Sequence, residues 1–272
     1  MPTLPSLVDM LKSGVHLGHK KSKRHPKMDP YIFMNRGEMT VIDLEKTQEL
    51  LGKALNFITS SVANGKIVLF VGTKRQAQDP IQKYALSCEM PYVNGRWIGG
   101  MLTNFAVISK MIKRYKTLKE QHETGALAKY TKKEQLDFAR DIVELENAIG
   151  GISNLTKLPD IVFLLDIKRD KTAYTEAKKK HLPTVAVCDT NVNPTHVDYV
   201  IPANDDAVKS IDLLVSLVAQ AVLEGKAQAM AQKVASTTNE ESEKAPIVAE
   251  TTKKADLTTS TTAEKETPTV VE

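Results

Sequence analysis

Lys66-Ile67-Val68-Leu69-Phe70-Val71-Gly72-Thr73-Lys74-Arg75 is the stretch on which the fold turns. An unbroken apolar run closed by glycine, with no polar alternation, is the pattern of a strand covered on both faces. Thr73 stands where a side-chain oxygen caps a helix, and the spacing predicts one running to about Ser87. A buried strand followed at once by a helix is half of a βα unit, and parallel strands need such crossovers.

The same alternation continues downstream. Pro91-Tyr92-Val93 reads as a short second strand, Asp160 to Asp166 as a third, Pro183 to Cys188 as a fourth and Tyr199-Val200-Ile201 as a fifth. A lysine-rich helix is expected from about Lys171 to Lys180. Asn204-Asp205-Asp206 is read as the cap of a last helix running through Leu213, Leu214, Leu217 and Val218 towards Gln232. Upstream, Leu4 to Lys12 has helical spacing closed by Gly14. Tyr31 to Asn35 and Met39 to Ile42 form a hairpin around Arg36-Gly37-Glu38, and Asp43 caps a helix from Leu44 to about Ala63. The expected class is α/β, a five-stranded parallel sheet flanked by helices, because right-handed crossovers return each helix onto the sheet.

Between the second and third strands lies an insertion. Phe105, Ile108, Ile112, Tyr115 and Leu118 make one apolar stripe, and Phe138, Ile142, Leu145 and Ile149 another, with a turn near Thr124-Gly125. Two stripes with charged outer faces predict an antiparallel coiled-coil helical hairpin, stopped by Gly150-Gly151 and projecting from the domain. The organisation expected is an α/β domain over residues 1–103 and 150–235, the hairpin insertion over 104–149, and a low-complexity tail over 236–272. The tail is rich in Thr, Glu, Lys and Ala, with Leu257 its only Leu or aromatic residue, so it lacks the apolar area to offset ordering entropy and is expected to be disordered.

The chain has 272 residues, 42% of them hydrophobic and 26% charged, enough for one large core with an appendage. Its formal charge of +4 is uneven: residues 236–272 hold eight acids and four bases, leaving +8 on the rest. A basic body suggests a polyanionic partner, against the plainer reading of a solvated basic surface. Cys88 and Cys188 have no paired spacing, which excludes a disulfide scaffold and a four-cysteine zinc site and fits a reducing compartment. Met1 to Pro5 shows no signal-peptide pattern, nothing reads as a transit peptide, and no apolar run approaches the ~18 residues of a membrane span.

Three readings stand for Gly72-Thr73-Lys74-Arg75: a bound nucleotide, an RNA backbone phosphate, or simple capping. The spaced glycines of a dinucleotide site and the Walker pattern are both missing, which weighs against the first. His16, His19, Asp166, Asp189, Asp205 and Asp206 fall where strand ends converge. They are candidates for a divalent metal, with His16, His19, Asp189 and Asp205 foremost, or else are ordinary caps and hydrogen-bonding groups. No nucleophile elbow is present, and neither cysteine has an activating neighbour in sequence. An enzyme on this scaffold, working through Asp189 or His19, is the minority alternative. The cations are denser. Lys20, Lys21, Lys23, Arg24 and Lys27 form a run broken by Pro26 and read as flexible; Arg96 and Trp97 stand among glycines; Lys110, Lys113, Arg114 and Lys116 load the first helix of the insertion. With no aromatic strand motif, recognition of RNA shape and phosphate is favoured, and Trp97 reads as a core or hinge residue.

Several stretches together resemble ribosomal protein S two in its bacterial and organellar form. They include Leu11-Lys12-Ser13-Gly14-Val15-His16-Leu17-Gly18-His19, Ile42-Asp43-Leu44-Glu45-Lys46-Thr47, Leu69 to Arg75 and Asn94 to Asn104. Cys188-Asp189-Thr190-Asn191 and Tyr199 to Ala207 complete the set, so that the likeness runs in order over about residues 4 to 230. The resemblance implies a flavodoxin-like sheet with a protruding coiled-coil hairpin and a structural place in the small subunit of cytoplasmic ribosomes. It further implies contact with small-subunit ribosomal RNA near the head–body junction and with neighbouring proteins, ribosomal protein S one among them. It implies no catalytic activity, no required cofactor, no membrane and no small-molecule substrate. Carried over by position, the RNA contacts fall among Lys20, Lys21, Lys23, Arg24, Lys27, Lys74, Arg75, Arg96, Lys110, Lys113 and Arg114. The threonine-rich tail departs from the family.

Overall fold

Apolar alternation along Val68-Leu69-Phe70-Val71 sends Val68 and Phe70 into one apolar cluster and Leu69 and Val71 into another, on opposite faces of the sheet. The computed structural model describes residues 4–243, with side chains as far as residue 232. A short helix α1 (Leu7–Lys12) leads to β1 (Leu17–Lys20), two 3₁₀ turns (Lys21–Lys23 and Pro26–Tyr31), β2 (Ile32–Arg36) and β3 (Met39–Ile42). The order β1-β3-β2 makes a small antiparallel sheet. Helix α2 (Leu44–Ala63) follows, with Asp43 accepting from the N–H groups of Glu45 and Lys46 as the sequence predicts. Next come β4 (Val68–Val71), α3 (Gln78–Ser87), β5 (Tyr92–Val93), α4 (Phe105–Glu123), α5 (Lys132–Ile149) and β6 (Ile161–Leu164). The chain continues with α6 (Lys171–Lys179), β7 (Thr184–Cys188), β8 (Tyr199–Pro202) and α7 (Val208–Glu243).

The five-stranded sheet has the order β5-β4-β6-β7-β8 and every pair is parallel. Phe70 and Phe163 stand opposite in register, their rings edge to face at 5.6 Å. One face packs with α2, α3 and α7 through Leu51, Leu55, Ile81, Ile211 and Val218. The other packs with α4, α5 and α6 through Ile112, Ile149 and Ala177. Gly225 lets α7 lie close to α2, since a Cβ there would come within 2.7 Å of the Thr59 carbonyl oxygen. The described residues through Lys233 form one compact unit.

Four expectations are corrected. Thr73 does not cap α3, which begins only at Gln78: its hydroxyl and N–H both bond Asp170, at 2.6 and 3.3 Å, so a tertiary acceptor replaces the local one. Asp205 is not the cap of α7, because its buried carboxylate faces Lys74; Asn204 accepts instead from the N–H groups of Asp206 and Ala207. The cationic stretch after His19 is built into a strand and 3₁₀ turns rather than left flexible. Helix α7 runs on to Glu243, past the expected start of disorder at Ser236, because extending a formed helix adds one hydrogen bond per residue with no new nucleus, and no glycine or proline intervenes. The rest of the tail, 244–272, lies outside the described residues.

The inserted helices α4 and α5 match their apolar stripes, and Arg114–Asp141 and Lys119–Glu146 ion pairs join them at 3.1 and 3.7 Å. Their inner face is less separate than expected. Ile108, Ile112 and Tyr115 belong to the same buried cluster as Val93 and Ile152, so the root of the insertion is part of the domain core.

Candidate nucleic-acid interface

In an open parallel sheet the loops at the carboxyl ends of the strands gather on one rim. Here that rim carries Gly72 to Arg75 after β4, Arg96 after β5, Asp166 to Asp170 after β6, Asp189-Thr190 after β7 and Asp205-Asp206 after β8. The small sheet is fastened to it. His19 N–H donates to Thr190 Oγ1 at 2.9 Å, and His25 N–H to the Thr190 carbonyl at 2.8 Å. Gly18 is required at this junction, because a Cβ would meet the Thr190 side chain at 2.6 Å. The cationic stretch Lys20 to Lys27 is thereby held beside the rim.

Beneath lies a network of charges. His19 Nδ1 bonds Asp189 at 2.8 Å and Nε2 faces Asp206 at 3.3 Å. Lys74 Nζ, 13% exposed, lies 2.8 Å from Asp205, 2.5 Å from Asp206 and 3.7 Å from Asp166. The hydrogen bond to Asp189 raises the His19 pKa, against an opposing pull from burial. Burial works against the Lys74 charge too, yet the hydrogen bonds and charges of Asp205 and Asp206 outweigh it and hold Lys74 above the usual lysine range. Burial, with Asp166 and Asp189 close by, pushes the Asp205 carboxyl up to about 7. Asp206, less buried, is drawn down by Lys74 and His19.

Of the metal candidates, His19, Asp189 and Asp205 come together, joined by Asp206, with one ligand atom from each within 4.8 Å of the others. His16 does not join them: its Nδ1 is buried without a partner, and burial lowers its pKa. Of these carboxylates, Asp205 and Asp206 are paired with the Lys74 ammonium and Asp189 with the His19 ring. The arrangement is a self-contained ionic clasp between the small sheet and the rim.

Another buried carboxylate, outside this network, went unread in the sequence. Glu176 of α6 accepts from Trp97 Nε1, from the N–H groups of Gly100, Leu102 and Thr103 and from the Thr103 hydroxyl, at 2.8 to 3.2 Å. Burial alone would raise its pKa, but these donors outweigh that and hold the carboxyl below its ordinary value. The glycine-rich loop from Asn94 to Asn104 is thus tied to α6, with the Trp97 ring half-buried against the core. The signal was there: Glu176 shares a buried stripe with Ala173 and Ala177 in an otherwise lysine-rich helix.

The sequence-predicted RNA contacts separate into two groups. Lys20 pairs with Glu38, Arg24 with Asp29, Arg114 with Asp141, and Lys74 with the clasp. Lys21, Lys27, Arg75, Arg96, Lys110 and Lys113 are exposed and have no ion-pair partner among the described residues, and exposed Lys23 adds its charge near Asp206. Arg75, Arg96 and the Lys21–Lys27 stretch lie on the rim, and Lys110 and Lys113 follow on α4. Arg169, beside Lys168 in the turn before α6, is also exposed on the rim with no ion pair among the described residues, and sequence reading passed over it. Unpaired cations spread over a surface whose acids are occupied internally suit a ligand with many dispersed negative charges.

Residues 10–225 match the family model described as Ribosomal protein S2. The "Small ribosomal subunit protein uS2" of Geotalea uraniireducens is 46% identical over 220 residues, 81% of this chain and 86% of that protein. The protein of the same name from Pseudoalteromonas atlantica is 46% identical over 221 residues, 81% of this chain and 91% of that one. With the fold, the cationic rim and sequence identity over most of its length in accord, the chain belongs to the ribosomal protein S2 family.

Proposed function

We propose that this chain is a structural constituent of the small subunit of cytoplasmic ribosomes, binding small-subunit ribosomal RNA through the rim and the first inserted helix. Its family is one of structural proteins, and the chain is not an enzyme. The observation that carries the reading is the convergence of Arg75, Arg96, Arg169 and the Lys21–Lys27 stretch on one rim, above acids already neutralised by Lys74 and His19. The strand order, 2-1-3-4-5 when the five parallel strands are numbered along the chain, supports a flavodoxin-like scaffold. The joined stripes of α4 and α5 support a coiled-coil arm. The reading needs no cofactor.

Binding should weaken steeply with salt, since each phosphate neutralised contributes about 0.7 to 0.9 to the log–log slope. Titrating a small-subunit RNA fragment across a salt series tests this: a slope steeper than about −3, meaning several phosphates, is expected, and a slope near zero contradicts RNA binding. We also propose that the arm engages neighbouring small-subunit proteins, with ribosomal protein S one among them. Exposed Val107, Leu136 and Val143 on its helices support this. A Leu136→Lys, Val143→Lys variant is expected to lose those proteins on purification while keeping its RNA affinity; unchanged partners contradict the docking role.

A further inference from the structure

The loop after β5 and the turns after β4 and β6 enclose an open hollow of about 670 Å³, lined by Thr73, Arg96, Trp97, Arg169, Asp170 and Thr172 among others. We infer that this hollow seats a phosphodiester of an RNA backbone between the Arg96 and Arg169 guanidinium groups. The inference rests on the RNA binding proposed above and gives it a definite place.

Both arginines are exposed, and neither has an ion pair among the described residues. The one carboxylate in the lining, Asp170, is turned inward, accepting from the Thr73 hydroxyl at 2.6 Å and from its N–H at 3.3 Å. Burial raises the Asp170 pKa, against the hydrogen bonds from Thr73 and the charge of nearby Arg169. A guanidinium offers a planar fork of donors that matches two phosphate oxygens, which a lysine ammonium does not. Thr172 and Gln78 add neutral polar groups to the lining.

The wall is fixed before any ligand arrives. Glu176 holds Trp97 and Gly100, on either side of Ile98 and Gly99, so the loop that bears Arg96 loses little freedom on binding. The same bond keeps the Trp97 ring in the wall, which favours grip on a backbone over stacking of a base. A seat of this kind reads no sequence. The Walker and dinucleotide glycine spacings that wrap a nucleotide's phosphates are missing from the turns around it, which favours a strand of phosphates over a free nucleotide.

Trp97 is the chain's one tryptophan, so its emission reports on the hollow directly. The test titrates the full chain with a small-subunit RNA fragment, following Trp97 emission and affinity across a salt series. It compares the natural chain with Arg96→Gln/Arg169→Gln and Arg96→Lys/Arg169→Lys variants, whose surface positions leave the melting temperature unchanged. The glutamine pair is expected to bind roughly tenfold or more weakly, to lose the emission change, and to flatten the log–log slope by about 0.9. The lysine pair is expected to keep the slope and lose part of the affinity. If the glutamine pair binds as the natural chain does, with the same slope, the seat is overturned while RNA binding stands. If the natural chain itself shows a flat slope, the reading beneath it fails. Saturation of the emission change by micromolar adenosine monophosphate or inorganic phosphate, displacing RNA, would also overturn it in favour of a small anion.

Discussion

Among the buried carboxylates, Glu176 and Asp205 respond to pH in opposite directions. Glu176 meets five donors, and hydrogen bonds to a charged acceptor contribute more than neutral ones. Glu176→Gln keeps the shape but replaces one acceptor oxygen with an N–H₂ facing donors. It is expected to destabilise the fold by about 1 to 3 kcal/mol in urea melts at neutral pH. Because its carboxyl is held below the ordinary 4.5, that contribution is present above about 4.5 and is lost as pH falls through the lower folded value. The gap between the two proteins should therefore narrow in acid; an equal gap at pH 7 and pH 3.5 contradicts the assignment. Asp205 works the other way. With its folded pKa near 7 against an ordinary 3.8, the native state keeps a proton that the unfolded chain has released, so its effect on stability becomes less favourable as pH rises from about 4 to 7. Asp205→Asn removes this dependence, and melting temperatures over that range should show the variant gaining on the natural chain. A gap that does not change with pH would contradict it.

At the scale of elements, contacts between neighbours in sequence were legible and contacts between distant segments were not. Helix α2 was read to its exact ends, because Asp43 and Asn64-Gly65 are local signals, and the stripes of α4 and α5 have helical spacing. The Thr131-Lys132-Lys133-Glu134 capping box was equally legible and went unread; Thr131→Ala should cost about 1 kcal/mol and speed amide exchange in the first turn of α5. Strand β1 could not be seen, since Leu17-Gly18-His19-Lys20 has one apolar residue. Its place depends on β3 and on Thr190, 171 residues from His19. Thr73 looked like a cap until Asp170, 97 residues away, took both its donors. Close helix packing is also non-local. Gly225→Ala would ordinarily favour a helix by about 1 kcal/mol, but the added Cβ would meet the Thr59 carbonyl oxygen and Val62 Cβ at 2.7 and 2.8 Å. Overpacking of that kind costs about 1 to 3 kcal/mol, so the melting temperature should fall, and a rise would contradict the described α2–α7 contact.

For the molecule as a whole, the same divide separates the cations from the surface they make. Their number was plain in the sequence, as was the basic balance of the body against an acidic tail. What the sequence could not display was which of them stay unpaired. Lys74 stood in the cationic Thr73-Lys74-Arg75 turn and is consumed by Asp205 and Asp206, whereas Arg169, in the Lys168-Arg169-Asp170-Lys171 stretch, opens onto the rim. The outcome is a body whose acids are neutralised from within at the rim while its arginines and lysines face outward, the charge distribution expected of a protein that sits on folded RNA. Sedimenting cell lysate through a sucrose gradient and following this protein across the fractions tests that placement most directly. The protein is expected to travel with the small ribosomal subunit at low salt and to be released as salt is raised. Sedimentation as free protein at the top of the gradient, with none on ribosomal particles, would contradict it.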